Sequence, residues 1–282
     1  MTTTLPAPGD PNAAYFFDLQ GLLYPFWSTQ APWAARKFIE FVRVIMRERK
    51  PAFAAFAADL PFPTFRHDLA LKHFGADRLF KGDRKQLDPA KKAQLLEQLR
   101  IAEELLADVF GISTFKHRGA EADDIVATFV DCARAQGMKV VFVAHDRDLM
   151  QLVDEPNVVM WDGRERITGR AGVMKSLGVN PEQVVDYFAI AGGKNNIPGV
   201  YGLGEKAAVE ILRAYGTLEK AIAAAEKSAF SVPTLNQGMH KKFAAGLKDA
   251  RASAELARLD RKLPLAFDDV EALRIPSFAD WD

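Results

Sequence analysis

Residues 119–153, GAEADDIVATFVDCARAQGMKVVFVAHDRDLMQLV, contain two acidic clusters separated by one helical pattern and one strand pattern. Apolar residues at helical spacing follow the first cluster, over residues 125–133. Residues 139–144 are apolar and rich in β-branched side chains, which predicts a short buried strand. Asp146 and Asp148 come next, at the strand end where open α/β sheets bind ligands. This stretch therefore predicts an α/β fold with a site at the carboxyl edge of its sheet.

The first cluster consists of Glu121, Asp123 and Asp124 and has two physical explanations. Carboxylates at the start of a helix cap free N–H groups and complement the helix dipole. Three acids this close also repel one another, which raises at least one pKa. A divalent cation relieves that repulsion, because hard cations take oxygen ligands. The pattern alone leaves a capped helix and a metal site both open.

Two further aspartates end strand patterns earlier in the chain. Asp18 follows the apolar run that begins at Ala13, and the chain is then predicted to turn at Gly21. Asp59 ends a small-residue strand between two prolines. Parallel strands would bring these side chains to the same edge of the sheet as the acids after residue 144. Their shared position favours a ligand role over separate turn or cap roles.

Composition limits the classes of protein that fit. The chain has 282 residues, 49% of them hydrophobic, which is enough for one large or two modest cores. Lys+Arg and Asp+Glu both number 37, so net charge neither favours nor excludes a polyanionic partner. The single Cys132 excludes an intramolecular disulfide framework and fits a reducing compartment. No apolar run is long enough to span a bilayer, and we expect a cytoplasmic protein.

Two other stretches are candidates for contact with nucleic acid. Residues 65–85 interleave cations with phenylalanines, which is typical either of a solvated helical face or of a surface that binds phosphates and bases. Gly199, Gly202 and Gly204 precede a helix that is predicted to start near Glu205. Such a turn exposes backbone N–H groups at a helix N-terminus, where phosphates bind. A glycine-rich turn is weak evidence by itself.

Several motifs together resemble the 5′-to-3′ exonuclease and flap endonuclease superfamily, including the exonuclease domain of bacterial DNA polymerase I and its stand-alone relatives. The matching pieces are FFDLQGLLY, AADLPFPTFRHDL, FKGDR, GAEADDIVA, VFVAHDRDLMQLV, VDYFAIAGG, IPGVYGLGEKAAVEIL and ARLDRKLPL. They occur in the family's order from about residue 13 to residue 269. The combination is far more specific than any one piece.

The resemblance implies a fold and a domain plan. The fold is α/β, with a mostly parallel central sheet flanked by helices in a PIN-like or resolvase-like core, a helical arch and a C-terminal helix–hairpin–helix lobe. The predicted limits are a disordered tail (1–12), a nuclease core (13–176) with the arch at about 65–92, a DNA-binding lobe (177–270) and a tail (271–282). The implied activity is divalent-metal-dependent hydrolysis of phosphodiester bonds during DNA replication and repair.

The resemblance also implies roles for individual residues. The metal ligands would be Asp18, Asp59, Glu121, Asp123, Asp124, Asp146 and Asp148. Arg66 and Lys81 would act on the scissile phosphate, and Arg84, Gly202, Gly204 and Lys206 would bind DNA. The implied cofactors are Mg²⁺ or Mn²⁺, with K⁺ at the helix–hairpin–helix. The implied partners are DNA with a 5′ flap, gap or free 5′ end and RNA primer–DNA hybrids. The resemblance also implies a monomer that does not associate with a membrane.

The segment AGGKNN at residues 191–196 departs from the family pattern, which has two further aspartates there. Gly192, Gly193 and Lys194 bring no anion, and Asn195 offers only an uncharged carbonyl oxygen. Fewer anions weaken a divalent site, so we expect one tight metal and a weak second one. The same departure keeps an alternative open, a structure-specific DNA-binding protein with a weakened or inactive metal site.

Overall fold

The computed structural model describes residues 3–75, 80–81, 87–193, 197–265 and 269–276. The chain forms two compact units. Unit one comprises Met1–Phe62, Gln86–Gly169 and Asp260–Asp282, and unit two comprises Pro63–Lys85 and Arg170–Leu259. The domain limits predicted from the sequence place the arch segment in the core, whereas the contacts group Pro63–Lys85 with unit two.

Unit one contains the sheet and the helices that cover it. Its strands are β1 (Ala13–Asp18), β2 (Phe53–Ala57), β3 (Thr114–Phe115), β4 (Lys139–Val143), β5 (Val158–Trp161) and β6 (Ile167–Thr168). Its α-helices are α1 (Leu19–Gln30), α2 (Ala34–Arg49), α4 (Pro89–Phe110) and α5 (Ala122–Ala135). Short 3₁₀ helices are formed by Ala31–Trp33, Arg147–Leu152 and Val270–Leu273.

The strands lie in the order β3-β2-β1-β4-β5-β6. Neighbouring strands from β3 to β5 are parallel, and β6 pairs antiparallel with β5. From β1 the chain continues to β2 and β3 on one side and to β4 and β5 on the other, so the strand order reverses between β1 and β4. Open α/β sheets bind ligands at such a switch point. The predicted mostly parallel α/β fold is confirmed.

Aromatic side chains hold β1 from both faces of the sheet. Phe17 stacks on Phe56 with ring centroids 4.5 Å apart, while Phe16 points the other way and lies 5.0 Å from Phe129 of α5. Successive strand residues face opposite sides of a sheet, which explains this alternation. Each aromatic pair contributes about 0.5–1.5 kcal/mol beyond its area burial. The carboxyl end of β1 is therefore supported on both faces.

Unit two is helical in its described part. Its α-helices are α3 (Phe65–Phe74), α6 (Arg170–Leu177), α7 (Val184–Ala191), α8 (Glu205–Tyr215), α9 (Leu218–Glu226), α10 (Gln237–Ala245) and α11 (Leu247–Ala257). A 3₁₀ helix, Pro181–Gln183, precedes α7. Helix α11 packs against both α7 and α3, and α7 packs against α8. Helix α3 is the described start of the predicted arch.

The N-terminal segment makes contacts that the prediction of a disordered tail does not anticipate. The Thr3 hydroxyl donates to Glu155, the Gly9 N–H donates to the Arg49 carbonyl, and Lys139 pairs with Asp10 at 2.9 Å. These contacts attach residues 3–12 to unit one. In the described ranges, no helix combines the length and the apolar character that crossing a membrane requires.

Candidate metal centre

Asp18 ends β1 and caps α1 at the same time. Its Oδ1 accepts the Gly21 N–H at 3.0 Å, and the residue is only 7% exposed. The turn predicted at Gly21 is wrong, because the cap lets α1 begin directly at Leu19. A Cβ atom on Gly21 would lie 2.0 Å from Asp18 Oδ2. Glycine is therefore required there to leave room for the carboxylate.

Asp59 joins the end of β2 to the first turn of α5. Its Oδ1 accepts the Ala122 N–H at 2.7 Å. Gln20 fixes its backbone from the other side, since the Gln20 amide accepts the Asp59 N–H at 2.9 Å and donates to the Asp59 carbonyl at 3.2 Å. This role of Gln20 was not predicted from the sequence. The contact joins residues 39 positions apart, and the only available signal was the position of Gln20 two residues after Asp18.

Helix α5 begins with a reciprocal capping box. The Glu121 side chain accepts the Asp124 N–H, and Asp124 Oδ2 accepts the Glu121 N–H at 3.0 Å. Asp124 Oδ1 also accepts the Asp260 N–H at 2.8 Å, and Asp124 is completely buried. The capped-helix explanation of this cluster is therefore correct for Glu121 and Asp124. It does not account for Asp123, which lies between them.

Asp123 is the electrostatic centre of the acidic group. Burial raises the pKa of its carboxyl well above the ordinary value, and four nearby carboxylates raise it further. In order of effect, those four are Asp18, Asp146, Glu121 and Asp59. The structure therefore brings five of the seven predicted metal ligands together at the switch point of the sheet.

Asp146 and Asp148 lie at the start of the 3₁₀ helix that follows β4. Asp146 Oδ1 accepts the Asp148 N–H at 3.1 Å, so Asp146 caps this helix much as Asp18 caps α1. The Asp148 carbonyl accepts the Gln151 amide at 2.9 Å. Both aspartates are half-buried. The charge of Asp146 is one of those that raise the pKa of Asp123.

The carboxylates are close enough to affect the pKa of Asp123, but their side chains are not arranged around one point as metal ligands. Among the residues described, no group of three or more Asp, Glu, His or Cys side chains is already arranged to hold a metal ion. Asp18, Asp59 and Asp146 each use Oδ1 as an acceptor for a backbone N–H. The chemistry of the group fits a hard divalent cation, because every donor is a carboxylate oxygen.

Two family models together match residues 16–280 of the chain. Residues 16–184 match the N-terminal resolvase-like domain of 5′-3′ exonucleases, and residues 179–280 match their C-terminal SAM fold. The chain belongs to the 5′-3′ exonuclease family. The resemblance noted in the sequence is thereby confirmed.

Individual relatives agree with this assignment. DNA polymerase I of Synechocystis is 32% identical over 83% of this chain, which spans 23% of that protein. A 5′-3′ exonuclease of Aquifex aeolicus is 29% identical over 67% of this chain and 62% of its own length. The structure of the phage T5 D15 flap endonuclease with DNA and metal ions has a TM-score of 0.71 at 22% identity, and covers 88% of this chain and 89% of that one.

The two basic residues predicted to act on the scissile phosphate both belong to unit two, in different environments. Lys81 is half-buried, and its Nζ lies 5.5 Å from the centre of the Phe80 ring. Arg66 is buried at 2% exposure, and its guanidinium donates to the carbonyls of Leu256 and Arg258, both at 2.9 Å. The predicted DNA contact Arg84 lies outside the described residues.

The glycine turn of this chain is closely packed before α8. Gly199 has a φ of +63°, and its N–H donates to the buried Ser253 hydroxyl at 3.0 Å. A Cβ on Gly199 would lie 2.2 Å from the Gly192 nitrogen, so only glycine fits there. At the exposed end of the turn, Gly204 caps α8 and has open space around its Cα. Lys206 is exposed in the first turn of that helix.

The structure explains part of the departure at residues 191–196. Gly192 has a φ of +77°, and a Cβ there would approach the Ile197 and Pro198 carbonyl oxygens at 3.0 Å. The Gly193 N–H donates to the Ile197 carbonyl at 3.0 Å. These glycines therefore have a backbone role. Lys194 and Asn195 lie outside the described residues, so the weak second-metal ligand predicted at Asn195 stays a prediction.

Proposed function

We propose that this chain is a divalent-metal-dependent 5′-3′ exonuclease and flap endonuclease that hydrolyses phosphodiester bonds in DNA replication and repair. One observation carries the proposal: Asp123 is surrounded by four other carboxylates at the switch point of a parallel sheet. Crowded anions that raise a pKa this strongly at a ligand-binding edge are typical of functional sites. Membership of the 5′-3′ exonuclease family supports the same chemistry.

The carboxylates would hold Mg²⁺ or Mn²⁺ as the cofactor. The first metal would be held tightly by the group around Asp123, including Asp18, Asp59 and Glu121. A metal bound there supplies charge neutralisation and an activated water for phosphodiester hydrolysis. The contribution of the chain is to hold carboxylates from three separate segments at one point. Each segment is fixed by a backbone hydrogen bond to the acid or its neighbour.

A second, weaker metal would involve Asp146, Asp148 and Asn195. Asp146 and Asp148, which follow β4, supply negative charge for this metal, but the segment with Gly192 and Gly193 supplies none. We therefore expect the second ion to depend on substrate phosphate for part of its coordination. For the helix–hairpin–helix around Gly202 we propose a K⁺ ion held by backbone carbonyls.

The basic residues of unit two would act on the DNA. We assign Lys81 the direct contact with the scissile phosphate, because the residue is only half-buried. Arg66 would support that region by holding the end of α11, since its guanidinium is already bound to two carbonyls. Arg84, Gly202, Gly204 and Lys206 would bind the phosphate backbone of duplex DNA.

The proposed substrates are DNA molecules with a 5′ flap, a gap or a free 5′ end, together with RNA primer–DNA hybrids, and the proposed state is a monomer. The T5 flap endonuclease structure, which contains DNA and metal ions, supports this choice through its shared fold. The chain spans only 23% of the length of the Synechocystis polymerase.

A labelled 5′-flap duplex incubated with Mg²⁺ or Mn²⁺ tests the function. We expect product from the wild type, none with EDTA, and a loss of at least about 10³-fold in Asp123→Ala, because the central carboxylate is removed. Asp108→Ala is the matched control, since Asp108 is an exposed aspartate on α4 of the same unit. Equal product from the wild type and Asp123→Ala would defeat the enzyme assignment.

A structure-specific DNA-binding protein with a weakened or inactive metal site is the second candidate. The glycines and Lys194 in place of acids at residues 191–196 favour it. In that case the flap duplex would bind with the same affinity with and without metal, and no product would form. The flap assay distinguishes the two functions directly.

A further inference from the structure

The chain crosses from unit two back to unit one between Leu259 and Asp260. Residues 260–263, which we call the return segment, lie along one face of α5. The Leu263 N–H donates to the Thr128 hydroxyl at 3.3 Å, and the Arg261 guanidinium binds Asp131 at 2.8 Å. Together with the Asp260 N–H on Asp124, these bonds connect the return segment to the first three turns of the helix that carries the central acid.

Asp124 is the point where the return segment meets the start of α5. One of its oxygens accepts the N–H of Asp260 at 2.8 Å, and the other accepts the N–H of Glu121 at 3.0 Å. The Thr128 hydroxyl donates to the Asp124 carbonyl at 2.9 Å, which links both side chains to the same segment. Asp124 is completely buried. Both carboxylate oxygens of Asp124 therefore already accept a backbone N–H.

We propose that Asp124 is a positioning residue for the metal centre rather than a metal ligand. It ties the first turn of α5, which presents Glu121 and Asp123, to the return segment. Glu121 and Asp123 would then be positioned to bind the metal only while the return segment is hydrogen-bonded to α5. The inference rests on the proposed function, and it replaces the ligand role that the sequence implied for Asp124.

The chain is also fixed before the crossing, within unit two. Helix α11 ends at Ala257, and the last carbonyls of a helix lack partners within it. The buried Arg66 guanidinium supplies donors to the carbonyls of Leu256 and Arg258. The chain is thus held by Arg66 in unit two and by Asp124 in unit one, and one residue, Leu259, separates the last anchored carbonyl from the anchored N–H.

The Asp260 N–H can be removed without deleting a carboxylate from the acidic group around Asp123. Asp260→Pro eliminates this donor, because proline has no N–H, whereas Asp260→Ala keeps it. Mn²⁺ binding to the full chain without DNA, measured by titration calorimetry, gives a readout independent of cleavage. We expect Asp260→Pro to weaken Mn²⁺ binding by about tenfold or more and Asp260→Ala to stay within about twofold of the wild type. Circular dichroism and thermal melting establish that both variants are folded.

Thr128→Val provides a second test if the proline variant does not fold. It replaces the hydroxyl between the return segment and α5 by a methyl group of similar volume. We expect Mn²⁺ binding about threefold or more weaker in Thr128→Val, and restored to within about twofold of the wild type in Thr128→Ser, which keeps the hydroxyl.

The outcomes separate this proposal from the proposed function. Wild-type Mn²⁺ affinity in both Asp260→Pro and Thr128→Val, with loss of affinity only in Asp124→Asn, would make Asp124 a ligand and overturn the positioning role. In that case the wild type still binds metal and cleaves the flap. A wild type that binds no Mn²⁺ at all would instead remove the proposed function and this inference with it.

Discussion

Replacing Gly21 by alanine should damage the metal centre without removing any of its carboxylates. The new Cβ would lie 2.0 Å from Asp18 Oδ2 and 2.9 Å from Asp18 Cγ. An ordinary non-bonded contact is about 3.5 Å, so the carboxylate would have to move by more than about 1 Å. A misplacement of about 1 Å in a catalytic arrangement costs roughly 10²-fold in rate. We therefore expect flap cleavage by Gly21→Ala to fall by about 10²-fold.

The same substitution should change the free energy of unfolding very little. Moving Asp18 away removes the N-cap bond to the Gly21 N–H, which costs about 1 kcal/mol. Alanine inside a helix is more favourable than glycine by a similar amount, about 1 kcal/mol, and Gly21 lies inside α1. The two effects offset each other. A large loss of activity should therefore accompany a nearly unchanged melting temperature.

The assay combines single-turnover cleavage of a labelled 5′-flap duplex, thermal melting and Mn²⁺ titration. Gly238→Ala is the matched control, because Gly238 also lies inside a helix beside its N-cap side chain, yet a Cβ there would be 3.2 Å from Asn236 Oδ1. We expect the control to cleave like the wild type. Full activity in Gly21→Ala would refute the requirement for Asp18 at its observed place, and equal losses of activity in both variants would show a general helix effect.

Three further predictions address the central charge, the phosphate and the duplex. Asp123→Asn should raise the melting temperature of the metal-free protein at pH 8 by about 2 °C or more, the shift that roughly 1 kcal/mol produces at this size. Because the folded-state pKa of Asp123 is raised, the ionised carboxylate destabilises the fold above that pKa, and this penalty disappears toward about pH 4. An equal shift at pH 8 and pH 4 in EDTA would contradict the prediction. Lys81→Ala should slow single-turnover cleavage by about 10²-fold while changing duplex affinity by less than about threefold, because its charge is used most in the transition state. A loss of duplex affinity in fluorescence anisotropy, with the cleavage rate unchanged, would count against that role. Gly204→Val should weaken duplex binding several-fold, since the Cβ meets no atom of the protein within 4 Å but blocks phosphate approach to the helix N-terminus; unchanged anisotropy titrations would exclude this contact.

The strands and the edge of the sheet could be predicted from the sequence because they depend on local pattern. Buried parallel strands are continuous apolar runs, so Asp18, Asp59 and Asp146 could be assigned to strand ends from the residues before them. The chain after Asp18 was harder to predict. Gly21 favours a turn when considered alone, but the cap that Asp18 provides starts a helix at Leu19.

Two contacts that hold the acids in place could not be predicted, because they join distant residues. Gln20 clamps the Asp59 backbone across 39 positions, and Asp260 reaches Asp124 across 136. The burial of Arg66 could not be predicted either, since burial is not visible in a charge pattern. In the structure its guanidinium donates to carbonyls at the end of α11.

Anomalous diffraction from a crystal of the wild type soaked in Mn²⁺ would test the central claim most directly. The account predicts a peak bounded by the carboxylates of Asp18, Glu121 and Asp123, with Asp124 outside the coordination sphere and still bonded to the Asp260 N–H. No peak at this edge of the sheet, or a peak with Asp123 turned away from it, would contradict the account.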